Sequence, residues 1–207
     1  MNRLVVFDLD GTLHHTECAL TPAIAAATSD ITGKEAPDYK RINRLYGEPL
    51  ELFCKELVGK DDPDTFSRFM DRVKFHQKVF LPTDGKLYPG ITEMLIELKK
   101  RNFDIAVLSN AHLDYVVLVT ETLGIRKFFK QLVGRGECPS KTERLKKLAK
   151  PYEKVIMVGD RYHDIQAGLE NEIPVIACAY GYGSVTEHKG ALIVYTASGF
   201  QELIINA

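Results

Sequence analysis

The sequence predicts an α/β protein, a doubly wound parallel sheet interrupted once by an all-helical insertion. Three observations predict it. Short apolar runs recur that do not alternate with polar residues. Amphipathic segments of helical period lie between them. One block near the N-terminus carries helical patterns alone.

The first run is Leu4-Val5-Val6-Phe7, ending in Asp8. The second is Ile105-Ala106-Val107-Leu108, ending in Ser109, and the third is Val155-Ile156-Met157-Val158, ending in Gly159-Asp160. The fourth, Pro174-Val175-Ile176-Ala177, leads into Gly181 and Gly183. Apolar continuity is how strands buried on both faces of a parallel sheet read. Helices are expected between them at Ile91–Lys100, which follows Pro89-Gly90 and ends in basic residues, and at His112–Leu123, with Gly124 as its C-terminal cap. Two more are expected at Lys141–Lys150, with Ser140 as N-cap, and through Asp164–Glu170.

The block from Thr16 to Leu81 departs from this alternation. Thr21-Pro22 is expected to open an alanine-rich helix and Pro49–Leu57 to form a second. Asp62-Pro63 starts a third whose apolar face carries Phe66, Phe69, Met70, Val73 and Phe80. The aromatic stripe Phe66, Phe69, Phe75 and Phe80 is expected to be core. The domain division is therefore residues 1–15 and 82–207 as the α/β core and 16–81 as the helical insertion, with hinges near His14–Thr16 and Pro82–Lys86.

Composition narrows the class. The chain has 207 residues, 45% of them hydrophobic, enough to build a core and too apolar for disorder. Its 27 Lys+Arg against 28 Asp+Glu give a net charge of -1, which offers nucleic acid no bulk electrostatic attraction. Apolar runs are strand-sized, so no membrane span is expected. Cys18, Cys54, Cys138 and Cys178 form no CxxC pair, which argues for a reduced, cytoplasmic protein with inert thiols. A monomer is expected.

Polar groups follow the strand runs in a set order. Asp8, Asp10, Gly11 and Thr12 follow the first, and Ser109 and Asn110 the second. Lys141 opens a helix, and Asp160 and Asp164 follow the third run. In open parallel sheets ligands bind beyond the carboxyl ends of the strands, so these groups should converge. Clustered carboxylates repel one another, and a divalent cation resolves the repulsion. A set of oxygen ligands without His or Cys favours Mg²⁺ over zinc. Metal, lysine, hydroxyl and a glycine turn together suggest phosphoryl transfer with one carboxylate attacking phosphorus.

Asp8-Leu9-Asp10-Gly11-Thr12, Ser109, Lys141, and Gly159-Asp160 with Asp164 resemble, in order and spacing, the four motifs of the haloacid dehalogenase superfamily. The resemblance covers nearly the whole chain. It implies a Rossmann-like core and a Mg²⁺-dependent phosphatase working through a phosphoaspartate. Asp8 is then the nucleophile and Asp10 the general acid and base. The metal is held by Asp8, the Asp10 carbonyl, Asp160 and Asp164, the last directly or through water. Ser109, Asn110 and Lys141 bind the phosphoryl group, and Thr12 orders the loop. Asp10 argues against dehalogenation, because dehalogenases of the superfamily lack that second aspartate.

The helical insertion resembles the cap of the phosphoglycolate phosphatase-like branch, and Arg41–Pro49 resembles its specificity loop. Arg44 is the candidate contact for an anionic leaving group, while Lys40 and Arg41 are read as solvated. The expected partner is a small phosphorylated metabolite. Phosphoglycolate is the default, with nucleoside 5′-monophosphate, sugar phosphate or pyrophosphate as alternatives. A β-phosphoglucomutase-like phosphomutase comes next, and a non-catalytic regulatory protein last. His14 and His15 depart from the family's usual Asp-[Ser/Thr] pair, which here reads His15-Thr16, and are expected to be polar surface residues at the hinge. His112 is a weak pocket-lining candidate.

Overall fold

The computed structural model describes residues 2–46, 50–136 and 140–200. Cys138, and Gly47, Glu48 and Pro49 of the expected specificity loop, lie outside the described residues. By internal contacts the chain divides into two compact units. One comprises Met1–His15 with Leu87–Ala207, the other Thr16–Lys86.

The first unit is built on a six-stranded sheet. Its strands are β1 (Arg3–Phe7), β2 (Asp104–His112), β3 (Gln131–Arg135), β4 (Lys154–Gly159), β5 (Val175–Cys178) and β6 (Leu192–Val194). Their order is β3-β2-β1-β4-β5-β6 and every pairing is parallel. The four expected strand runs are the four inner strands. β3 and β6 are additions at the two edges. Edge strands need no two-sided burial, so Gln131–Arg135 and the three-residue Leu192–Val194 carry no run of buried residues to read.

β1 lies at the centre because it is apolar on both faces. Leu4 and Val6 pack on one side with Ala106, Leu108, Met157, Leu145, Leu148 and Ile165, while Val5 and Phe7 are equally buried opposite. The first of these faces is covered by α7 (Lys141–Ala149) and α8 (Tyr162–Glu170). The segments α5 (Ile91–Lys100) and α6 (Leu113–Thr122) pack against β2. Ser140 caps α7 by accepting from the Glu143 N–H, as its type predicts. Gly124 adopts φ +70°, and Ile125 N donates to Thr120 O to close α6.

The second unit is a helical bundle of α1 (Glu17–Thr32), α2 (Tyr39–Asn43), α3 (Leu50–Val58) and α4 (Pro63–Asp84). Two expectations need correction. α1 begins at Glu17, not at Thr21-Pro22. Thr16 O accepts from Ala19 and Leu20, starting the helix a turn early, and Pro22 removes only the donor meant for Cys18 O. Phe75 is not core: it is 52% exposed with the Arg72 guanidinium over its ring, while Phe69 is fully buried among Ile24, Phe53 and Val73. Phe75 is six residues from Phe69, and 6 × 100° of helical rotation turns it away from Phe69 and Val73. The Asp62 carboxylate caps α4 through the Thr65 N–H, and α4 continues through Pro82 to Asp84. Among the described residues no helix is long and apolar enough to cross a membrane.

Phe69→Ala should cost about 3–5 kcal/mol in urea unfolding and Phe75→Ala less than about 1 kcal/mol, because only the first empties a closed core site.

Candidate active site

Strand register brings the polar groups together. Phe7 pairs with Val158 of β4 and Val107 of β2, and Asp8 N donates to Val158 O at 2.8 Å. Asp8 therefore emerges beside Gly159-Asp160 on one side and Leu108-Ser109 on the other. This is where the chain order around β1 reverses, the place where parallel sheets open a crevice. Alternation along β1 puts Asp8 on the face of Leu4 and Val6, the side covered by α7, whose first residue is Lys141.

Lys141 Nζ lies 2.5 Å from Asp8 Oδ1 and 2.5 Å from Asp164 Oδ1. Asp8, Asp160 and Asp164 are all buried, and one oxygen of each lies within 4.8 Å of the others. Burial first, then the Asp160 and Asp164 charges, push the Asp8 carboxyl well above its usual range against the pull of Lys141. Burial and then Asp164 push Asp160 up to about 7. Burial opposes the Lys141 ammonium, but Asp164 and Asp8 outweigh it and hold it above its ordinary value.

The β4–α8 turn is tied down atom by atom. Asp164 Oδ2 accepts from the N–H groups of Asp160 and Arg161, forming the first turn of α8. Asp160 Oδ1 accepts from the Thr12 hydroxyl and Oδ2 from Tyr182 N. Gly11 sits at φ +80° with no room for a Cβ against the Asp160 carboxylate and the Tyr182 ring. Gly183 is as tightly placed against the Asp160 carbonyl. Glu187 accepts from Arg161 Nε, Tyr162 N and Ser184 N. Its carboxyl is drawn down to about 2, these bonds outweighing the cost of burial.

At the end of β2, Ser109 is buried and its Oγ accepts from Ala111 N. The buried Arg144 guanidinium donates to Ser109 O, Gly134 O and Asn110 Oδ1. Arg144 is three residues after Lys141, so one face of α7 supports both the carboxylate cluster and the Ser109-Asn110 segment.

Asp10 sits at the lip with its side chain 27% exposed. Its Oδ1 accepts from the Tyr115 hydroxyl at 2.8 Å and contacts His14 Nδ1 at 3.2 Å. His14 is corrected from surface residue to buried one, 1% exposed, because Leu13 and His14 N both donate back to Leu9 O and fold the ring under Asp10. His15 stacks on Tyr88 at 4.8 Å. His112 is exposed at the start of α6. Cys54 and Cys178 are buried and Cys18 partly so. Burial pushes all three thiols up, away from the thiolate. Arg44 lies in the other compact unit, exposed at the end of α2 and without an ion pair among the described residues.

Sequence reasoning misses Arg144, Tyr115, Glu187 and His188. The i, i+3 spacing of Arg144 from Lys141 is a usable signal. The others act through contacts between residues far apart in sequence: His188 Nε2 meets Asp160 O at 2.7 Å across 28 residues, Tyr115 meets Asp10 across 105.

The residues fit a hard divalent cation. Three buried carboxylates face one ammonium. Lys141 Nζ meets both Asp8 Oδ1 and Asp164 Oδ1, and the excess of buried carboxylates over that ammonium is negative charge that a divalent cation would balance.

Residues 5–178 match the model of the haloacid dehalogenase-like hydrolases. A phosphoglycolate phosphatase of Agrobacterium fabrum is 27% identical over 89% of this chain and 84% of its own length. A 5′-nucleotidase of Pseudomonas aeruginosa is 26% identical over 88% and 85%. A haloacid dehalogenase-like hydrolase of Streptococcus pneumoniae shares the fold, with a TM-score of 0.82, 22% identity and coverage of 98% of both chains.

Arg144→Met should lower stability by about 2–3 kcal/mol in denaturant titration, since it strands two carbonyls and an amide oxygen, and Arg144→Lys should restore only part. For Glu187→Gln the sign follows from a depressed carboxyl. The wild-type advantage in melting temperature is full above about pH 4.5 and disappears as the pH falls towards 2.

Proposed function

The chain belongs to the haloacid dehalogenase-like hydrolase family, and on that premise we propose that it is a Mg²⁺-dependent phosphatase of a small phosphomonoester, working through a phosphoaspartate on Asp8. The observation that carries this reading is the buried Asp8 carboxylate, ion-paired to Lys141 inside a cluster with Asp160 and Asp164. A carboxylate placed this way is costly for stability and suited to attack.

An Asp8 oxygen attacks phosphorus as the ester oxygen departs. Asp10 delivers a proton to that oxygen, releasing a neutral alcohol. Asp10 then takes a proton from the water that attacks the aspartyl phosphate, returning Asp8 as carboxylate with inorganic phosphate. Lys141 neutralises charge on the transferring group, and Ser109 and Asn110, held by Arg144, line the site where its oxygens rest. Asp8, Asp160, Asp164 and the Asp10 carbonyl would hold Mg²⁺, which when bound supplies positive charge to the phosphoryl oxygens. Phosphate monoesters need accelerations of up to roughly 10²¹-fold, so these contributions act together.

The leaving group is set outside this cluster. Two curated relatives bear different substrate names, phosphoglycolate phosphatase and 5′-nucleotidase. Phosphoglycolate is the substrate we infer, with Arg44 meeting the anionic leaving group. The described cysteines, Cys18, Cys54 and Cys178, are free thiols, which supports the reading of a reduced, cytoplasmic setting.

Phosphate release should require Mg²⁺, stop on chelation, and fall at least about 1,000-fold in Asp8→Asn. Arg44→Ala should narrow the preference for phosphoglycolate over an uncharged alkyl phosphate. Release surviving Asp8→Asn would overturn the mechanism. Scant phosphate release with a requirement for a bisphosphate would point to a mutase.

A further inference from the structure

We propose that Tyr115 and His14 are positioning residues for Asp10, holding one oxygen of its carboxyl so that the other carries the proton exchanged with the leaving group and with water. The proposal rests on the hydrolase reading above, in which Asp10 is the acid and base.

The geometry is specific. Tyr115 comes from α6 and His14 from the turn after β1, yet both meet the same atom, Asp10 Oδ1, at 2.8 and 3.2 Å. Tyr115 Oη and His14 Nδ1 are also 3.4 Å apart, so the three groups form a closed triangle. Asp10 needs such support. Its side chain is 27% exposed, and the carboxyl torsion of an aspartate is broad, so an unsupported carboxyl would turn either oxygen to the substrate.

The contacts also select where a proton sits. A phenol O–H donating to Oδ1 favours the carboxylic proton on Oδ2, because a protonated carboxyl oxygen is the poorer acceptor. The His14 tautomer with hydrogen on Nδ1 adds a second donor to the same atom. The proton of a neutral Asp10 is thereby kept on Oδ2. The same oxygen then gives the proton to the ester oxygen and takes one from water, and the carboxyl need not rotate between the two half-reactions. His14 is only 1% exposed and has no route to a substrate, so it acts through Asp10. Its ring is held by the backbone bonds from Leu13 and His14 to Leu9 O and from Gly11 N to His14 O.

The test uses leaving groups of different basicity. An alkyl phosphate expels an alkoxide that must be protonated, whereas p-nitrophenyl phosphate expels a phenolate that need not be. The readout is kcat/KM, which reports transfer to Asp8, the step in which the acid acts. Tyr115→Phe should lower kcat/KM about tenfold on the alkyl ester and less than about twofold on the aryl ester. Asp10→Asn should show the same selectivity more strongly, on the order of 10²–10⁴-fold on the alkyl ester. His14→Asn, which keeps an N–H near the Nδ1 position, should retain most activity on the alkyl ester, while His14→Leu should lose it selectively. Equal losses on both esters in Tyr115→Phe, or no loss, would overturn the proposal. An Asp10→Asn enzyme with wild-type kcat/KM on the alkyl ester would instead overturn the role of Asp10 itself. A wild-type protein releasing phosphate from neither ester would overturn both.

Discussion

The Lys141 ammonium lies 2.5 Å from oxygens of both Asp8 and Asp164, in a cluster whose three carboxylates are at most 8% exposed. Charges taken out of water at this density are unstable unless other groups compensate them. One ammonium cannot neutralise three carboxylates, so the rest of the core is arranged around the deficit. Donors are brought to Asp160 from Thr12 and Tyr182 and to Asp164 from two backbone N–H groups of its own turn. What these donors leave unbalanced is net negative charge, which is the kind of deficit a cation would meet.

That need explains the order of elements. Only a parallel sheet with β1 at its centre lets residues just past β1, β2 and β4 meet, and only the crevice beside β1 leaves space between them. α7 supplies Lys141 to the cluster and Arg144 to the carbonyls behind Ser109, so a single helix ties the carboxylate end of the site to the Ser109-Asn110 segment. The close approaches at Gly11 and Gly183 follow from the same density. Asp160 is surrounded so tightly that a side chain at either position has no place to go. Stability and function are opposed here, and apolar packing around Leu4, Val6, Met157 and Leu145 offsets the cost.

Asp10 belongs to a different regime. It is partly exposed and stands outside the Lys141 cluster, and Tyr115 and His14 both meet one of its oxygens. A nucleophile benefits from a buried, compensated charge, whereas an acid and base must exchange protons with groups that arrive and leave. The helical unit has its own core around Phe69, Phe53 and Ile24.

The inner strands, the helices of the core, the insertion and the polar motifs were legible in the residues themselves. Two-sided burial leaves unbroken apolar runs, and carboxylates directly after such runs have few structural uses. Edge strands β3 and β6 left no such trace, because a strand at an edge need not be apolar on both faces. Helix starts shifted where a backbone carbonyl found donors early, as at Thr16 before α1. The supporting residues, namely Arg144, Tyr115, Glu187 and His188, were legible only weakly or not at all. By itself the sequence determined the fold class, and it pointed to the carboxylates that follow β1 and β4, since these depend on residue type and local spacing. Tertiary structure alone decided that His14 is buried under Asp10 and that Tyr115 reaches it across 105 positions. Contacts between elements depend on how a sheet and its helices close upon one another, and no local pattern encodes that closure.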